Sequence, residues 1–170
     1  TRFCQVTGVQ TCALPISAVG KQVIVACAFI HHNFDGVEKI FMPKRAATKK
    51  FMPSVFELPG GHVDFGEDIV AGLKREIREE FGKTITVGDP FAAFTYHNSV
   101  KGSHSIEVVY FAQFDDIGNI QLNPKDHSEY KWLSFDELPK VFGNGKDETD
   151  EEIQLIKRGF ALLDGAQLKF

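Results

Sequence analysis

The stretch from Gly61 to Gly82 constrains the fold more than any other part of the chain. Its second half predicts an amphipathic helix, because apolar residues recur there at helical spacing along one face. That apolar stripe consists of Ile69, Val70, Leu73, Ile77 and Phe81. Glu76, Glu79 and Glu80 stand at i, i+3 and i+4, so their carboxylates gather on an adjacent face. We expect Gly82 to end the helix in the left-handed conformation.

A cluster of three glutamates is unfavourable for a helix that has nothing to compensate it. Like charges at i,i+4 cost roughly 0.2–0.5 kcal/mol per pair. One interpretation is a solvated face that Arg75 and Arg78 neutralise. The other is a cation site, because Mg²⁺ takes oxygen ligands and is usually held by one or two carboxylates plus substrate phosphates. The residues around the cluster favour the second interpretation.

The whole stretch resembles the signature sequence of the Nudix hydrolases. The matching positions, all at the family's spacing, are Gly61, Glu67, Arg75, Glu76, Ile77, Glu79, Glu80 and Gly82. Seven of these positions demand one residue type, so chance agreement is on the order of 10⁻⁸ per starting point. One departure is Lys83, which stands where the family usually has an apolar residue. We expect Ile85 to supply that packing, so the departure concerns the helix exit and not the chemistry.

The resemblance implies an α/β protein with the Nudix fold, an α/β/α sandwich around a mixed β-sheet. It also implies hydrolysis, dependent on Mg²⁺ or Mn²⁺, of a nucleoside diphosphate linked to another group. A (d)NTP pyrophosphohydrolase of the MutT-like kind is the favoured activity, with a nucleotide sugar or ADP-ribose as alternative substrates. Another class of function is a non-catalytic sensor that binds a nucleotide-like ligand. Such sensors commonly lose these glutamates, and this chain keeps them all.

The resemblance also implies roles for individual residues. Glu79 and Glu80 would be metal ligands, and Glu76 would be a ligand or the base near the attacking water. Glu67 would be a further acidic member of the site, and Arg75 would orient the carboxylates through ion pairs. The catalytic set predicted in this way is Glu67, Arg75, Glu76 and Glu79. The metal set predicted within the signature sequence is Glu76, Glu79, Glu80 and the carbonyl of Gly61.

Two candidates lie outside the signature sequence. The run from Asp126 to Leu133 is similar to a late strand of the family that carries an extra acidic residue near the metals. Asp126 and Glu129 are both candidates for that residue. Arg45 ends a predicted strand at a place where basic residues of Nudix proteins often reach substrate phosphate, although a solvated strand end fits it equally well.

Hydrophobic patterns and turn residues predict the remaining elements. Strands are expected at residues 22–30, 38–42, 55–61, 84–87, 91–97, 105–114 and 126–133, and the first two form a hairpin around Asn33–Gly36. Capping boxes at Ser134–Glu137 and Thr149–Glu152 predict a short and a longer helix near the end of the chain. Gly72, inside the first helix, is interpreted as a point of close packing.

Composition limits the partners that the protein can have. The 170 residues carry a net charge of −4, so duplex nucleic acid or an anionic membrane is not expected as the main partner. We expect a small-molecule nucleotide substrate and leave monomer and homodimer open. The three cysteines, Cys4, Cys12 and Cys27, lack metal-ligand spacing, so no disulfide framework is expected and the cytoplasm is the expected location.

The first 16 residues stand apart from the rest. Residues 6–16 resemble the in-frame translation of a common short-read sequencing adapter, and residues 1–5 fit the same frame. We interpret residues 1–16 as an artefactual tail and residues 17–170 as a single Nudix hydrolase domain. The alternative is a genuine, weakly structured N-terminal tail.

Overall fold

A computed structural model describes residues 20–167, so the segment interpreted as a tail, with Cys4 and Cys12, lies outside the described residues. In chain order the elements are β1 (Gln22–Phe34), β2 (Val37–Arg45), β3 (Gly60–His62), α1 (Ile69–Phe81), β4 (Ile85–Asn98), β5 (Ser103–Phe114), β6 (His127–Leu133), a 3₁₀ helix (Phe135–Val141) and α2 (Glu151–Leu163). Between residues 20 and 167, no helix is long and apolar enough to cross a membrane.

The strands form one mixed sheet in the order β4-β5-β1-β2-β6, with β3 beside β1. Only β1 and β5 run parallel, and the other pairs are antiparallel. The predicted hairpin is confirmed, and its turn has positive φ at Asp35 (51°) and Gly36 (90°), as two-residue hairpins prefer. The far half of β1 pairs with β2, whereas its near half pairs with β3, where Val25 lies opposite His62. The central strand therefore carries the glycine-rich segment directly.

One helix covers each face of the sheet, so the predicted α/β/α sandwich is confirmed. The α1 face buries Leu73, Ile77 and Phe81 against a cluster that includes Phe41. The α2 face is built around Phe29, whose ring lies so close to α2 that a Cβ on Gly159 would stand 2.6 Å from it. The buried residues of α2 include Ile153, Ile156 and Phe160. Leu163, at the end of α2, is 37% exposed.

Helix α1 ends as the sequence predicts, and a side chain caps its start. The Asp68 carboxylate accepts hydrogen bonds from the backbone N–H groups of Val70 and Ala71, at 3.0 and 2.9 Å. Gly82 ends the helix with φ 63°. Lys83 is buried and donates to Asp116 at 2.8 Å, while Ile85 is 4% exposed in the core. The departure from the family pattern at Lys83 therefore leaves the helix exit intact.

The structure differs from the prediction at three of the predicted strands, those at residues 55–61, 84–87 and 91–97. Residues 55–61 do not form a continuous strand; Phe56 bridges Lys44, and the regular pairing starts again only at β3. Pro59, which lacks an N–H, lies between the two segments. The two strands predicted at 84–87 and 91–97 are one strand, β4, whose register shifts on both sides of Pro90. Bulges absorb the irregularity without ending the strand.

The two predicted capping boxes have different outcomes. At the first, Glu137 accepts a hydrogen bond from the backbone N–H of Ser134 at 3.1 Å, and the helix that follows is a 3₁₀ helix. At the second, Asp150 and not Thr149 caps α2, because the Asp150 carboxylate accepts from the N–H of Ile153 at 3.1 Å. An aspartate one residue nearer the helix competes well for the cap position.

Candidate active site

Arg75 is the hub of the acidic helix. Its Nε and Nη2 atoms donate to the two carboxylate oxygens of Glu67, each at 3.0 Å. Its Nη1 donates to Glu76 at 2.7 Å, and Nη2 also donates to the backbone carbonyl of His62 at 3.0 Å. The guanidinium thus fixes the carboxylate of Glu76 on α1 and that of Glu67 in the preceding loop, and it connects both to β3. This is the arrangement that an orienting arginine needs.

The two carboxylates on Arg75 differ in proton affinity. Hydrogen bonds from Arg75 and from the backbone N–H of Asp64 hold the pKa of Glu67 at about 2. Burial raises the pKa of Glu76 above its ordinary value, against the opposing effect of Arg75, and the neighbouring Glu80 and Glu79 raise it further. Glu76 is therefore the member of this pair that is better suited to accept a proton.

Two glycines make room for these carboxylates. A Cβ on Gly61 would lie 2.5 Å from the carboxyl carbon of Glu76, and a Cβ on Gly72 would lie 2.9 Å from Oε2 of Glu67. The close packing predicted at Gly72 is present, and its partner is a side chain of the acidic cluster. Glycine is therefore needed at both positions for the carboxylates to occupy their observed places.

The neighbouring glutamates Glu79 and Glu80 occupy different environments. The Glu80 side chain is 15% exposed, and its Oε2 lies 3.0 Å from Nε2 of the buried His127. The Glu79 side chain is 60% exposed and lies 3.6 Å from Arg75. His127 stacks on Phe81 with ring centroids 4.9 Å apart. Sequence reasoning missed His127, although it stands beside the candidate Asp126, because that run was considered for its carboxylates only.

A polar cavity of about 280 Å³ lies between α1, β3 and the start of β6. Its lining includes Gly61, Glu76, Glu80 and Asp126, so the structure brings these predicted residues together. Asp126 forms an ion pair with Lys49, which also lines the cavity. The Glu129 side chain is 49% exposed, pairs with Lys44 at 2.9 Å and is not part of the lining. Of the two candidates that the sequence left open, only Asp126 reaches the cavity.

Three cationic side chains line the same cavity. The predicted Arg45 donates to Glu57 at 2.7 Å and to the Phe51 carbonyl at 3.0 Å. Lys49 and Lys101 were not predicted as site residues, and both come from loops outside the predicted strands. Lys101 lies near enough to His62 to reinforce the lowering of its pKa that burial causes.

The donor set suits a hard divalent cation. Among residues 20–167, no three His, Cys, Asp or Glu side chains already converge as a metal site. The groups available around the cavity are the carboxylates of Glu76, Glu80 and Asp126, with the more exposed Glu79 on the same helix. Oxygen donors of this kind are what Mg²⁺ and Mn²⁺ use. The missing Cβ of Gly61 lets the Glu76 carboxylate lie against the Gly61 backbone, whose carbonyl is a further oxygen donor, so the residues fit such an ion.

The structure combines a mixed sheet, a helix that carries the carboxylates and a glycine-rich segment beside that helix. Together these features define the class of the protein, which is an α/β/α sandwich with a cavity lined by carboxylates. The NUDIX domain family model matches residues 21–154, and the chain belongs to that family. The predicted enzyme class is therefore confirmed at the level of the domain, which is a Nudix hydrolase domain.

Individual relatives are similar at low identity. The 8-oxo-dGTP diphosphatase of Buchnera aphidicola is 32% identical over 101 residues, 59% of this chain and 71% of that protein. The m7GpppN-mRNA hydrolase NUDT17 of Xenopus laevis is 30% identical over 83 residues, which is 47% of this chain but only 27% of that protein. A solved binary complex of the C. elegans Ap4A hydrolase has a TM-score of 0.68 at 24% identity, covering 85% of this chain and 99% of that one. That structural likeness shows the fold alone.

Proposed function

We propose that this protein is a divalent-metal-dependent pyrophosphohydrolase that acts on nucleoside triphosphates. The observation that carries the proposal is the single cavity in which Glu76, Glu80 and Asp126 meet the cations Arg45, Lys49 and Lys101. Carboxylates alone would suit a metal, and cations alone would suit an anion. Both kinds of group around one cavity suit a metal-bound polyphosphate.

The relatives support the substrate class. The Buchnera relative is an 8-oxo-dGTP diphosphatase, and more distant relatives from E. coli are nucleoside triphosphatases. These alignments cover 71% and 86% of the relatives' lengths. They are thus comparable with this chain over most of their extent, unlike the longer mRNA hydrolase.

The residues fall into three roles. Glu79, Glu80, Asp126 and the Gly61 carbonyl would hold the metal, which when bound polarises a phosphoryl oxygen and orients the attacking water. Glu76, whose pKa is raised by burial, would accept the proton that the water loses as its oxygen bonds to phosphorus. The anhydride P–O bond breaks in the same reaction, and the leaving phosphate carries away the negative charge.

The remaining charged groups position the reactants. Arg75 holds Glu67 and Glu76 in place and does not itself contact the reacting atoms. Lys49 is paired with Asp126, so a phosphate in the cavity would replace the carboxylate as its partner while the metal takes the carboxylate. Lys101 and Arg45 would contribute further positive charge to the polyphosphate.

The test is a panel of nucleotides assayed for released phosphate or pyrophosphate with Mg²⁺, Mn²⁺ or EDTA. We expect turnover with either metal and none in EDTA. Asp126→Asn should lower turnover strongly, whereas the matched variant Glu129→Gln should stay near wild type. Full activity in EDTA would sink the proposal. Tight nucleotide binding without product on any substrate would instead indicate a sensor.

A further inference from the structure

His127 is a buried residue next to the candidate site. It is the first residue of β6, its side chain is 4% exposed, and among residues 20–167 it is not one of those that line the polar cavity. Its neighbours do line that cavity: Asp126 precedes it in the chain, and Arg45 of β2 is its partner in the sheet. Because His127 does not face a ligand in the cavity, it can influence the site only through the residues that it contacts.

The imidazole ring of His127 contacts two consecutive residues of α1. Its face stacks on Phe81, with ring centroids 4.9 Å apart and planes 24° from parallel. Its Nε2 lies 3.0 Å from Oε2 of Glu80. The stack fixes the plane of the ring, and within that plane Nε2 is the nitrogen that meets the carboxylate. Glu80 also lines the polar cavity, so its carboxylate connects the buried histidine to the site.

The other ring nitrogen decides which way this hydrogen bond runs. Nδ1 is buried, and within the described part of the chain it has no hydrogen-bond partner. A neutral imidazole carries one N–H and one acceptor nitrogen. A proton on Nδ1 would leave that N–H without an acceptor and would turn the Nε2 lone pair toward the carboxylate, and both are unfavourable. A proton on Nε2 avoids both, so His127 donates to Glu80, which keeps Oε1 as a ligand atom for a cation.

The backbone around His127 joins the same residues. The carbonyl of Asn123 accepts hydrogen bonds from the N–H groups of Asp126 and His127, each at 2.9 Å. The N–H of Asn123 donates to the backbone carbonyl of Glu80 at 2.8 Å. The turn that carries Asp126 is thus bonded to the main chain of Glu80, and the His127 side chain adds a second bond, to the Glu80 carboxylate. Two acidic residues that are far apart in the sequence are held in one arrangement.

We propose, on the basis of the metal-dependent function argued above, that His127 is a positioning residue of the metal site. By donating to Glu80, it holds that carboxylate in the orientation in which it lines the cavity together with Asp126. It contacts neither the cation nor the nucleotide. Hydrogen-bond partners of ligating side chains typically contribute about 10- to 100-fold to metal affinity. The competing role for His127 is that of an aromatic side chain that only fills space beside Phe81.

Three substitutions separate the two roles. His127→Phe keeps a ring that can stack on Phe81 but has no N–H, His127→Leu lacks both, and His127→Gln lacks the ring but keeps an N–H donor near the position of Nε2. Binding of Mn²⁺ to the 170-residue chain, without nucleotide, is measured by electron paramagnetic resonance. We expect His127→Phe and His127→Leu to weaken Mn²⁺ binding by about 10- to 100-fold, and His127→Gln by less than about threefold.

Thermal melts in EDTA show what packing alone predicts for the same variants. His127→Phe keeps the stack on Phe81, so it should be the most stable of the three. Mn²⁺ affinity that follows this order, highest in His127→Phe and lower in His127→Gln, would overturn the positioning role. His127→Leu and His127→Gln both lack the ring and differ in the donor, so their comparison decides the question even if His127→Phe does not fold.

The matched control is His32→Phe, which makes the same change at another stacked histidine. The His32 ring centroid lies 4.8 Å from that of Phe34, and His32 is not among the described residues that line the polar cavity. Its Mn²⁺ affinity should stay within about twofold of wild type, as for other substitutions away from a site. A loss equal to that in His127→Phe would contradict the proposal, because it would not depend on contact with Glu80.

A double-mutant cycle tests whether the effect passes through Glu80. Glu80→Ala alone should weaken Mn²⁺ binding, and adding His127→Phe should weaken it by less than about twofold more, because the donor no longer has a carboxylate to hold. Losses that multiply would place the effect of His127 elsewhere and would overturn the assignment.

Turnover of a nucleoside triphosphate supplies a further distinction. In His127→Phe the Mg²⁺ concentration that gives half-maximal rate should rise by about 10- to 100-fold, whereas kcat at saturating Mg²⁺ should stay within about threefold of wild type. A lowered kcat with an unchanged Mg²⁺ requirement would contradict the positioning role. If the variants bind Mn²⁺ in the expected order but wild type hydrolyses no nucleotide, the hydrolase function alone is refuted. A wild type that binds no Mn²⁺ refutes both proposals.

Discussion

Two pairs of glutamates in the same domain have different surroundings. Glu67 and Glu76 both accept hydrogen bonds from one guanidinium, that of Arg75. Glu57 and Glu107 line the polar cavity together, where Glu57 pairs with Arg45 and Glu107 is 6% exposed. The comparison shows that cationic partners and burial, and not the residue type, decide how strongly each carboxyl holds its proton.

The pKa shifts follow these surroundings. The pKa of Glu67 falls to about 2 because Arg75 hydrogen-bonds to it, whereas burial raises the pKa of Glu76 against the effect of the same guanidinium. Burial raises the pKa of Glu57 to about 7, although its partner Arg45 opposes the shift, and burial raises the pKa of Glu107 to about 8. Burial therefore outweighs the cationic partner at Glu57 and Glu76 but not at Glu67.

The largest effect is expected at the base of the proposed reaction. Glu76→Gln keeps the shape of the side chain but removes its ability to accept a proton, so kcat should fall by about 10²–10⁴-fold. Steady-state assays with saturating Mg²⁺ measure this. Glu107→Gln, in the second pair, should lower kcat for the same nucleotide by far less. Equal losses in the two variants would erase the functional distinction between the pairs.

The next effect concerns stability. Lys146 has a side chain that is 2% exposed, and it pairs with Glu152 while donating to the Phe56 carbonyl. Lys146→Met should cost about 3–5 kcal/mol of unfolding free energy, because the partner carboxylate loses its cation in a buried place. Urea unfolding measures the change. The matched variant Lys44→Met breaks an exposed pair and should cost less than about 1 kcal/mol. Similar losses of unfolding free energy in both variants would show that burial does not determine what an ion pair contributes to stability.

A third prediction tests whether the Glu76 carboxyl needs the absence of a side chain at Gly61. Gly61→Ala places a Cβ where the Glu76 carboxyl now lies, so it should cost about 1–3 kcal/mol and lower turnover as well. Gly88→Ala meets only ordinary contacts, the nearest at 3.5 Å, and should change stability by about 0.5 kcal/mol or less. Denaturation curves and metal-dependent assays on both variants make the comparison. An active, fully stable Gly61→Ala protein would contradict it.

The last prediction concerns the dependence of stability on pH. Glu107 binds its proton more tightly in the folded state, so between its ordinary pKa of 4.5 and about 8 the folded protein holds more protons than the unfolded one. The unfolding free energy should therefore fall as the pH rises through that window. Glu67 acts in reverse, and its contribution is lost as the pH falls from 4.5 toward 2. Urea midpoints from pH 3 to 9 should peak near about pH 5, and Glu107→Gln should flatten the alkaline side only.

The α1 cluster was predictable from sequence because its members are close in the chain. Helical spacing places Glu76 beside Glu80, and the signature sequence includes Arg75. The group around Glu107 was not predictable in this way. Glu57 precedes β3, Glu107 lies on β5 and Glu152 lies on α2, and only the tertiary packing of these elements brings them to one cavity. Such long-range packing carries no local signal in the sequence.

Tertiary contacts explain the errors in the predicted boundaries. Pro90 and its neighbours carry strong turn signals, yet β4 passes through them, because the partner strand β5 continues and bulges accommodate the mismatch. Thr149 fitted a capping box, but Asp150 took the cap and left Glu152 free to bind Lys146 and the N–H of Leu58. In both places tertiary contacts outweighed a correct local preference.

Strand β1 pairs with β2 along one half and with β3 along the other, and this arrangement limits how the candidate site can move. The glycine segment is bonded to the most buried strand of the sheet, with the Val63 N–H donating to Ile24 at 3.0 Å and the Pro59 carbonyl accepting from Ala28 at 2.8 Å. Amide hydrogens in such a place exchange with solvent only when a large part of the domain opens. The Ala28 amide, which belongs to a fully buried residue, should thus exchange at the slow rate of the core, while amides of the Lys49 loop exchange quickly. The β3 side of the candidate site should therefore be as rigid as the core. The Lys49 loop on the other side would have to move when a substrate enters.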